Sequence, residues 1–216
     1  MFRIWEGNQI LMQAYRLLKL YSDGKRNFRS ANLVDANLKY ANLKCADLES
    51  ANLGYADLKG ADLENACLKD TYLVGANLKE ANFECACLEN ADLENADLEN
   101  ACLENACLIN AYLDCANLID AAYTIPQVLQ ANWGEVSDSL CLALMRLDCE
   151  SLPNGTKLFA DWVANDNCPF SDQFYGRIAS FKEKSSLWKP GRPPSLWNIW
   201  KQLAKEKWVK ISGVKQ

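Results

Sequence analysis

Three cysteines at 20-residue spacing, Cys67, Cys87 and Cys107, are the residues of this 216-residue chain whose types and spacing most readily suggest chemistry. Thiolates at a fixed interval can hold a soft metal or join as disulfides. Two further thiols, Cys85 and Cys102, stand near them in the sequence. The chain has no histidine, which removes the commonest transition-metal ligand and the commonest general base. The second chemically suggestive group is a run of acids. From Glu80 to Met145 there is no Lys or Arg, whereas twelve Asp and Glu stand there. Of these, Glu84, Glu89, Asp92, Glu94, Asp97, Glu99 and Glu104 make up the candidate interaction surface. Carboxylates alone can run acid–base chemistry, but these recur at repeat positions. Neither a phosphate-cradling Gly-rich loop nor a Gly-x-Ser-x-Gly elbow accompanies them. The expectation is a protein that is not an enzyme, with no catalytic residue, no metal and no cofactor.

What must position these groups is a repeat of five residues. Ala, then Asp, Asn, Cys or Tyr, then Leu, then two mostly polar residues recur without a gap from Phe28 to Tyr123. There are 20 units, and the central residue is Leu in all but Phe28, Phe83 and Tyr123. Ala stands two positions before it except at Arg26 and Thr71. An α-helix advances roughly 500° in five residues, so the Leu would scatter around its cylinder. A flat strand would send alternate Leu to opposite faces. Ala and Leu, two apart, do share a face. A short extended piece followed by a corner, repeated, keeps both inward, and that is a solenoid. Its core would stack Leu33, Leu53, Leu73, Leu93 and Leu113, with Phe83 in another column and Ala96 among the small residues that the narrow interior requires.

These units, A-(D/N)-L-x-x, resemble the pentapeptide-repeat family over about residues 26–125. The resemblance implies a mainly β fold, a right-handed quadrilateral parallel β-helix with four pentads per coil and hence about five coils. Residues 20 apart would then stack, and the sequence aligns Cys67, Cys87 and Cys107, Lys39, Lys59 and Lys79, and Tyr72 and Tyr112. Rungs ~4.8 Å apart lie within Cα reach of a disulfide. Side chains on stacked parallel strands point the same way, however, which is poor bridge geometry. The plain reading of the Cys column is a ladder of free thiols. Some members of the family resemble duplex DNA in size and charge and bind DNA gyrase in its place, and members often dimerise through one end.

Outside the repeat, residues 1–25 read as a capping helix and loop. Asn8 to Leu20 carries Ile10, Leu11, Ala14, Leu17 and Leu18 on one face, and Asp23-Gly24 breaks it. Residues 126–216 read as a small helical module. Val136, Leu140, Ala143, Leu144 and Leu147 have helical spacing, and Leu158, Phe159, Trp162 and Val163 suggest a second helix. Phe174, Ile178 and Phe181, started by Ser171, suggest a third. Lys189-Pro190-Gly191-Arg192-Pro193-Pro194 is a stiff connector, and Ser195 can cap a last helix with Leu196, Ile199, Trp200 and Leu203. Six of seven Trp fall in residues 133–208, and Trp188, Trp197, Trp200 and Trp208 are the candidate tail interface, with a small domain's core as the competing reading.

Ten Cys without a secretory leader point to a reducing, cytoplasmic setting, and no stretch is long enough to span a bilayer. The function expected is a rigid, acidic scaffold for protein–protein interaction, with an unidentified protein partner and no direct contact with nucleic acid or membrane. Two alternatives stand beside it: a DNA-mimicking modulator of a type II topoisomerase, and a scaffold whose function lies in the C-terminal module. Self-association through an end of the β-helix is a further partner expectation.

Overall fold

A computed structural model describes residues 3–124, 128–151, 154–165 and 186–211. Parallel bridges join Asn27 to Asp47, Asn32 to Asn52, Asn37 to Asp57 and Asn42 to Asp62, and each ladder continues in steps of 20 residues. Four ladders separated by five residues make a four-sided turn of 20 residues, so successive pentads occupy successive sides. The inward positions are filled as the periodicity predicts. Leu33, Leu53, Leu73, Leu93, Leu113, Phe83 and Ala96 are all buried, as are the other Leu of the repeat. Thr71, which replaces Ala, is also buried; its hydroxyl donates to the Leu48 carbonyl at 3.0 Å.

The expected short strands are reduced to single bridging residues. The chain is extended only around the residue before Leu, then turns. The turn is closed by a bond from each Ala N–H to the preceding Leu carbonyl, as from Ala36 to Leu33 at 3.0 Å. The second outward residue adopts a positive φ of 55–59° in nearly every unit. That left-handed conformation costs most residues roughly 1–2 kcal/mol, and Asn and Asp tolerate it best. Asn therefore holds this corner in five successive units, at 90, 95, 100, 105 and 110. Tyr40 and Tyr55 also take it, and the edges of their rings lie against Gly60 and Gly75 one turn on, where a Cβ would come within 2.5–2.6 Å of the ring.

The first helix, α1 (Arg3–Ser22), is longer than Asn8–Leu20. Ala14 and Leu17 join the repeat core, and Tyr21 stacks on Phe28 at 6.5 Å between ring centroids. Arg26, standing where later units have Ala, lies 3.7 Å over the Tyr21 ring and donates to the Tyr21 carbonyl.

At the other end the stacking outlasts the pentads. Asn132 bridges Tyr112, and Trp133 is buried where the Leu113 column continues. The next side is supplied from far along the chain. Lys210 bridges Asn117, donating to the Ala116 carbonyl at 2.9 Å and accepting from Leu118 N–H at 2.8 Å. Trp208 has the corner φ of 55°, and Val209 and Ile211 are buried like an Ala and a Leu of the repeat. Among the described residues, three helices follow the repeat: α2 (Asp138–Ser151), α3 (Gly155–Asn165) and α4 (Leu196–Glu206). α2 packs on both others. Ser195 caps α4 by accepting from Asn198 N–H at 3.3 Å. Ile199, Trp200 and Leu203 are buried, whereas Leu196 is exposed, as is Leu158 on α3. The helix expected around Phe174, Ile178 and Phe181 lies outside the described residues, as do the side chains of Trp162 and Val163.

Two substitutions test this packing. Ala96→Leu forces extra methylenes into a filled interior, and we expect a loss of at least 1–3 kcal/mol, read as a lower denaturation midpoint; an unchanged midpoint would refute the inward placement. Ile211→Asp should destabilise the far end by a comparable amount through one buried, unpaired carboxylate. Amide exchange should then rise first at Leu118 and Cys115, which lose their acceptors on the C-terminal segment.

Candidate interaction surface

The inward side chains are used in packing, and most backbone groups in bonds between turns. Leu33 N–H donates to the Asn52 carbonyl at 2.7 Å, Asn52 N–H to Ala31 at 2.9 Å and Asp35 N–H to Gly54 at 3.0 Å, and the pattern repeats down the stack. Chemistry is left to the outward positions of each unit: first the bridging residue before Leu, second the residue directly after it, and last the corner residue, such as Tyr55 or Glu80. At the first, Asn or Asp turns its side chain back on the chain. Asp92 Oδ1 accepts from Glu94 N–H at 3.1 Å and Asp97 Oδ1 from Glu99 N–H at 3.3 Å. These carboxylates belong to the turn as well as to the surface.

At the second position, charges pair down the ladders. Lys44 reaches Glu64 at 2.6 Å and Asp62 at 3.2 Å, Lys69 reaches Glu89 at 2.9 Å, and Lys79 reaches Glu99 at 2.8 Å and Asp97 at 3.2 Å. Lys59 pairs with Glu80, Lys39 with Asp57, and Arg29 with Glu49 and Asp47. The bond to Glu64, then that to Asp62, pushes the Lys44 ammonium up to about 12. Lys69 and Lys79 are raised for the same reason by Glu89 and Glu99 respectively. These groups are solvated, so each pair contributes little to stability. Its larger effect is to cancel charge that the linear sequence leaves bare.

The seven candidate acids are therefore not one surface. Successive pentads face successive sides, so Glu89 lies on one side, Asp92 and Glu94 on the next, Asp97 and Glu99 on the third, and Glu84 and Glu104 on the fourth. Lys69 offsets Glu89, and the single charge of Lys79 is shared by Asp97 and Glu99. Among the described residues, Asp92, Glu94, Glu84 and Glu104 have no basic partner in an ion pair. They form two separate acidic pairs on opposite sides. The side with Asp92 and Glu94 also carries exposed aromatics. Tyr72 and Tyr112 flank Asp92 in its ladder and are 56% and 44% exposed, and Tyr55, 65% exposed, stands on the adjoining corner.

The tail tryptophans divide. Trp200 is fully buried, with its indole N–H donating to the Tyr123 hydroxyl at 3.1 Å, and Trp188 is buried against Phe159 at 4.5 Å. Trp197 is half exposed, with Lys201 Nζ 5.8 Å from its ring, and Trp208 is 67% exposed. The indole of Trp133 donates to the Val128 carbonyl at 3.1 Å and its ring packs on Trp200 at 5.6 Å. Sequence reasoning passed over Trp133, although Ala131-Asn132-Trp133 keeps the repeat's phase with Trp in place of Leu.

Cys67, Cys87 and Cys107 form one half-buried ladder of free thiols. Cys67 also meets Asp47 and Glu49 closely enough for the three to hold a cation, but Arg29 already occupies the two carboxylates. Where the stack meets the helices, a cleft of about 300 Å³ is lined by Glu104, Asn105, Ala122, Tyr123 and Thr124. Burial raises the pKa of the Tyr123 phenol above its ordinary value. Among the described residues, no helix is long and apolar enough to cross a membrane.

A turn of four five-residue sides, with Leu and Ala inward, defines a pentapeptide-repeat solenoid. The family described as Pentapeptide repeats matches residues 31–70, 56–95 and 91–122 in eight copies, and the chain belongs to that family. Among solved structures, a pentapeptide-repeat protein (Rfr23) of the cyanobacterium Cyanothece 51142 is 31% identical. The match covers 56% of this chain and 88% of that one, with a TM-score of 0.47. HetL of the cyanobacterium Nostoc, a pentapeptide-repeat protein involved in heterocyst differentiation regulation, is 34% identical over 49% of this chain, with a TM-score of 0.34. The match spans about half of HetL, 52% of its length. QnrB1, a plasmid-mediated fluoroquinolone resistance protein, is 15% identical over 47% of this chain and 75% of its own, with a TM-score of 0.31. No curated protein matches.

Proposed function

We propose that this chain is a non-catalytic scaffold: a stiff right-handed β-helix of about five coils. It is closed by α1 at one end and by the C-terminal segment at the other, and it presents fixed side-chain ladders to a protein partner. The observation that carries this reading is the division of labour within each pentad. Core and backbone groups are consumed internally, so the outward side chains at ~4.8 Å intervals are what a partner can read. The two acidic pairs left without bases, Asp92 with Glu94 and Glu84 with Glu104, are the charges such a partner would meet. Its matching surface would be basic, and its setting cytoplasmic.

Charge reversal separates the sides. Capture of a partner by the full chain should be lost in Asp92→Lys/Glu94→Lys or in Glu84→Lys/Glu104→Lys, and retained when the already paired Glu89 is changed to Gln. Equal capture by all three variants would sink the proposal. A second reading, modulation of a type II topoisomerase, is favoured by the base-free stretch from Glu80 to Met145. Five coils give a rod on the order of 25 Å, short for a DNA mimic, and the ion pairs thin its charge. A supercoiling assay with excess protein decides it: inhibition, or protection of the enzyme, that is lost in the charge-reversed variants would establish this reading over the first.

A further inference from the structure

The side bearing Asp92 differs from the other three in offering aromatic rings and uncompensated acid together. Tyr72 and Tyr112 lie in one ladder with Asp92 between them, and Glu94 is exposed beside it. Two turns separate the rings, about 9.6 Å at ~4.8 Å per rung. A polyproline II helix repeats every three residues, ~9.3 Å at ~3.1 Å each, and presents every third side chain along one edge. Exposed rings at that interval, with acid beside them, suit a proline-containing basic segment.

One such segment stands in this chain. In Lys189-Pro190-Gly191-Arg192-Pro193-Pro194 the prolines fix φ near −65°, and the residues before them, Lys189, Arg192 and Pro193, are held to extended or polyproline II geometry. Only Gly191 is outside these constraints. Pro190 and Pro193 are three apart and share one edge; Lys189 and Arg192 are three apart and share the next. In the structure the stretch is neither helix nor strand, and Lys189, Pro190, Arg192 and Pro194 are exposed. Its backbone rests on α2, where Arg146 Nε donates to the Lys189 carbonyl at 3.1 Å and Gly191 lies against the same guanidinium. That anchorage leaves the Lys189 and Arg192 side chains directed to solvent.

We propose that the Tyr72–Asp92–Tyr112 side is a docking surface for the Lys189–Pro194 segment of a second copy of this chain. Pro190 and Pro193 stack on the two tyrosines, and the basic edge meets Asp92 and Glu94. Rings, acids, prolines and bases match in spacing and in sign; Tyr72, Tyr112, Glu94, Pro190, Lys189 and Arg192 are exposed in the single chain, and Asp92 and Pro193 are half-buried.

Sedimentation of the full chain over a range of concentrations, at low and high salt, tests this. The average mass is expected to rise above the 24.3 kDa of one chain, and to fall back at high salt as the charges are screened. Tyr72→Ala/Tyr112→Ala and Arg192→Asp should each abolish association with unchanged circular dichroism and melting. Combining Asp92→Arg with Arg192→Asp should restore it, which a general loss of fold could not do. A synthetic peptide of residues 187–196 should compete. A chain that stays monomeric at every concentration overturns the proposal, even if the peptide binds, since the occupant is then a foreign proline–arginine segment. Association untouched by these variants overturns it too, by placing the contact elsewhere. The partner-capture experiment reads a different molecule, so either idea can fail alone.

Discussion

Every turn of this protein depends on the next turn for its hydrogen bonds. In a sheet of long strands, many residues share the task of pairing. Here each side offers one bridging residue, and its N–H and carbonyl are satisfied by the two residues that flank its counterpart on the neighbouring turn. A buried backbone group left unpaired costs about as much as several surface ion pairs contribute. The period is therefore rigid: one inserted residue would put every later donor out of step and every later Leu on the wrong side of the wall. That constraint explains the Ala column, since a narrow turn leaves no room for more, and the Asn corners, since the left-handed bend recurs in nearly every unit. It also explains why Asp and Asn alternate so freely before Leu: both fold their oxygen back onto the turn amide.

The same constraint shapes the ends. A stack of single bridges has no natural stop, and its last turn exposes donors and acceptors to any similar chain. At the far end the protein answers with its own later residues. Asn132 and Trp133 continue one side in phase, and Lys210, carried back by α4, supplies another. Val209 and Ile211 copy the inward pair while Trp208 copies the corner. The helical region is therefore engaged with the solenoid rather than appended to it, and Tyr123, aromatic where Leu is usual, gives the Trp200 indole its acceptor.

Much of this was legible in the sequence because the pattern is local. Ala and Leu two apart, held for 20 units, admit few folds, and the buried positions of the repeat follow from that alone. The Trp133 rung was legible in principle, since Ala-Asn-Trp keeps the phase. The Lys210 rung was not. Ninety-three residues separate it from Asn117, and Val-Lys-Ile has no signature that sets it apart from any short strand. Which of the tail tryptophans are buried was not legible for a related reason: spacing says that an aromatic is wanted, but burial is decided by what packs across from it.

The acidic run shows how a solenoid separates sequence neighbourhood from surface neighbourhood. Glu84, Glu89, Asp92 and Asp97 are close in the chain yet face four directions, while Tyr72 and Tyr112, 40 residues apart, stand in one ladder with Asp92 between them. A surface on such a rod is read down a column, at the interval of the turn. A count of charge along the chain predicts a uniformly negative second half. A count down the columns gives two sides whose acids are largely answered by basic residues and two on which Asp92 and Glu94, or Glu84 and Glu104, are left without a base, although Lys207 pairs with Asp114 and Lys44 with Asp62 and Glu64 in the same columns. Of those two, the side bearing Asp92 pairs its acid with exposed rings. Recognition on this architecture is thus a matter of which residues recur every twenty positions, and a partner that binds it must carry its own groups at a commensurate spacing.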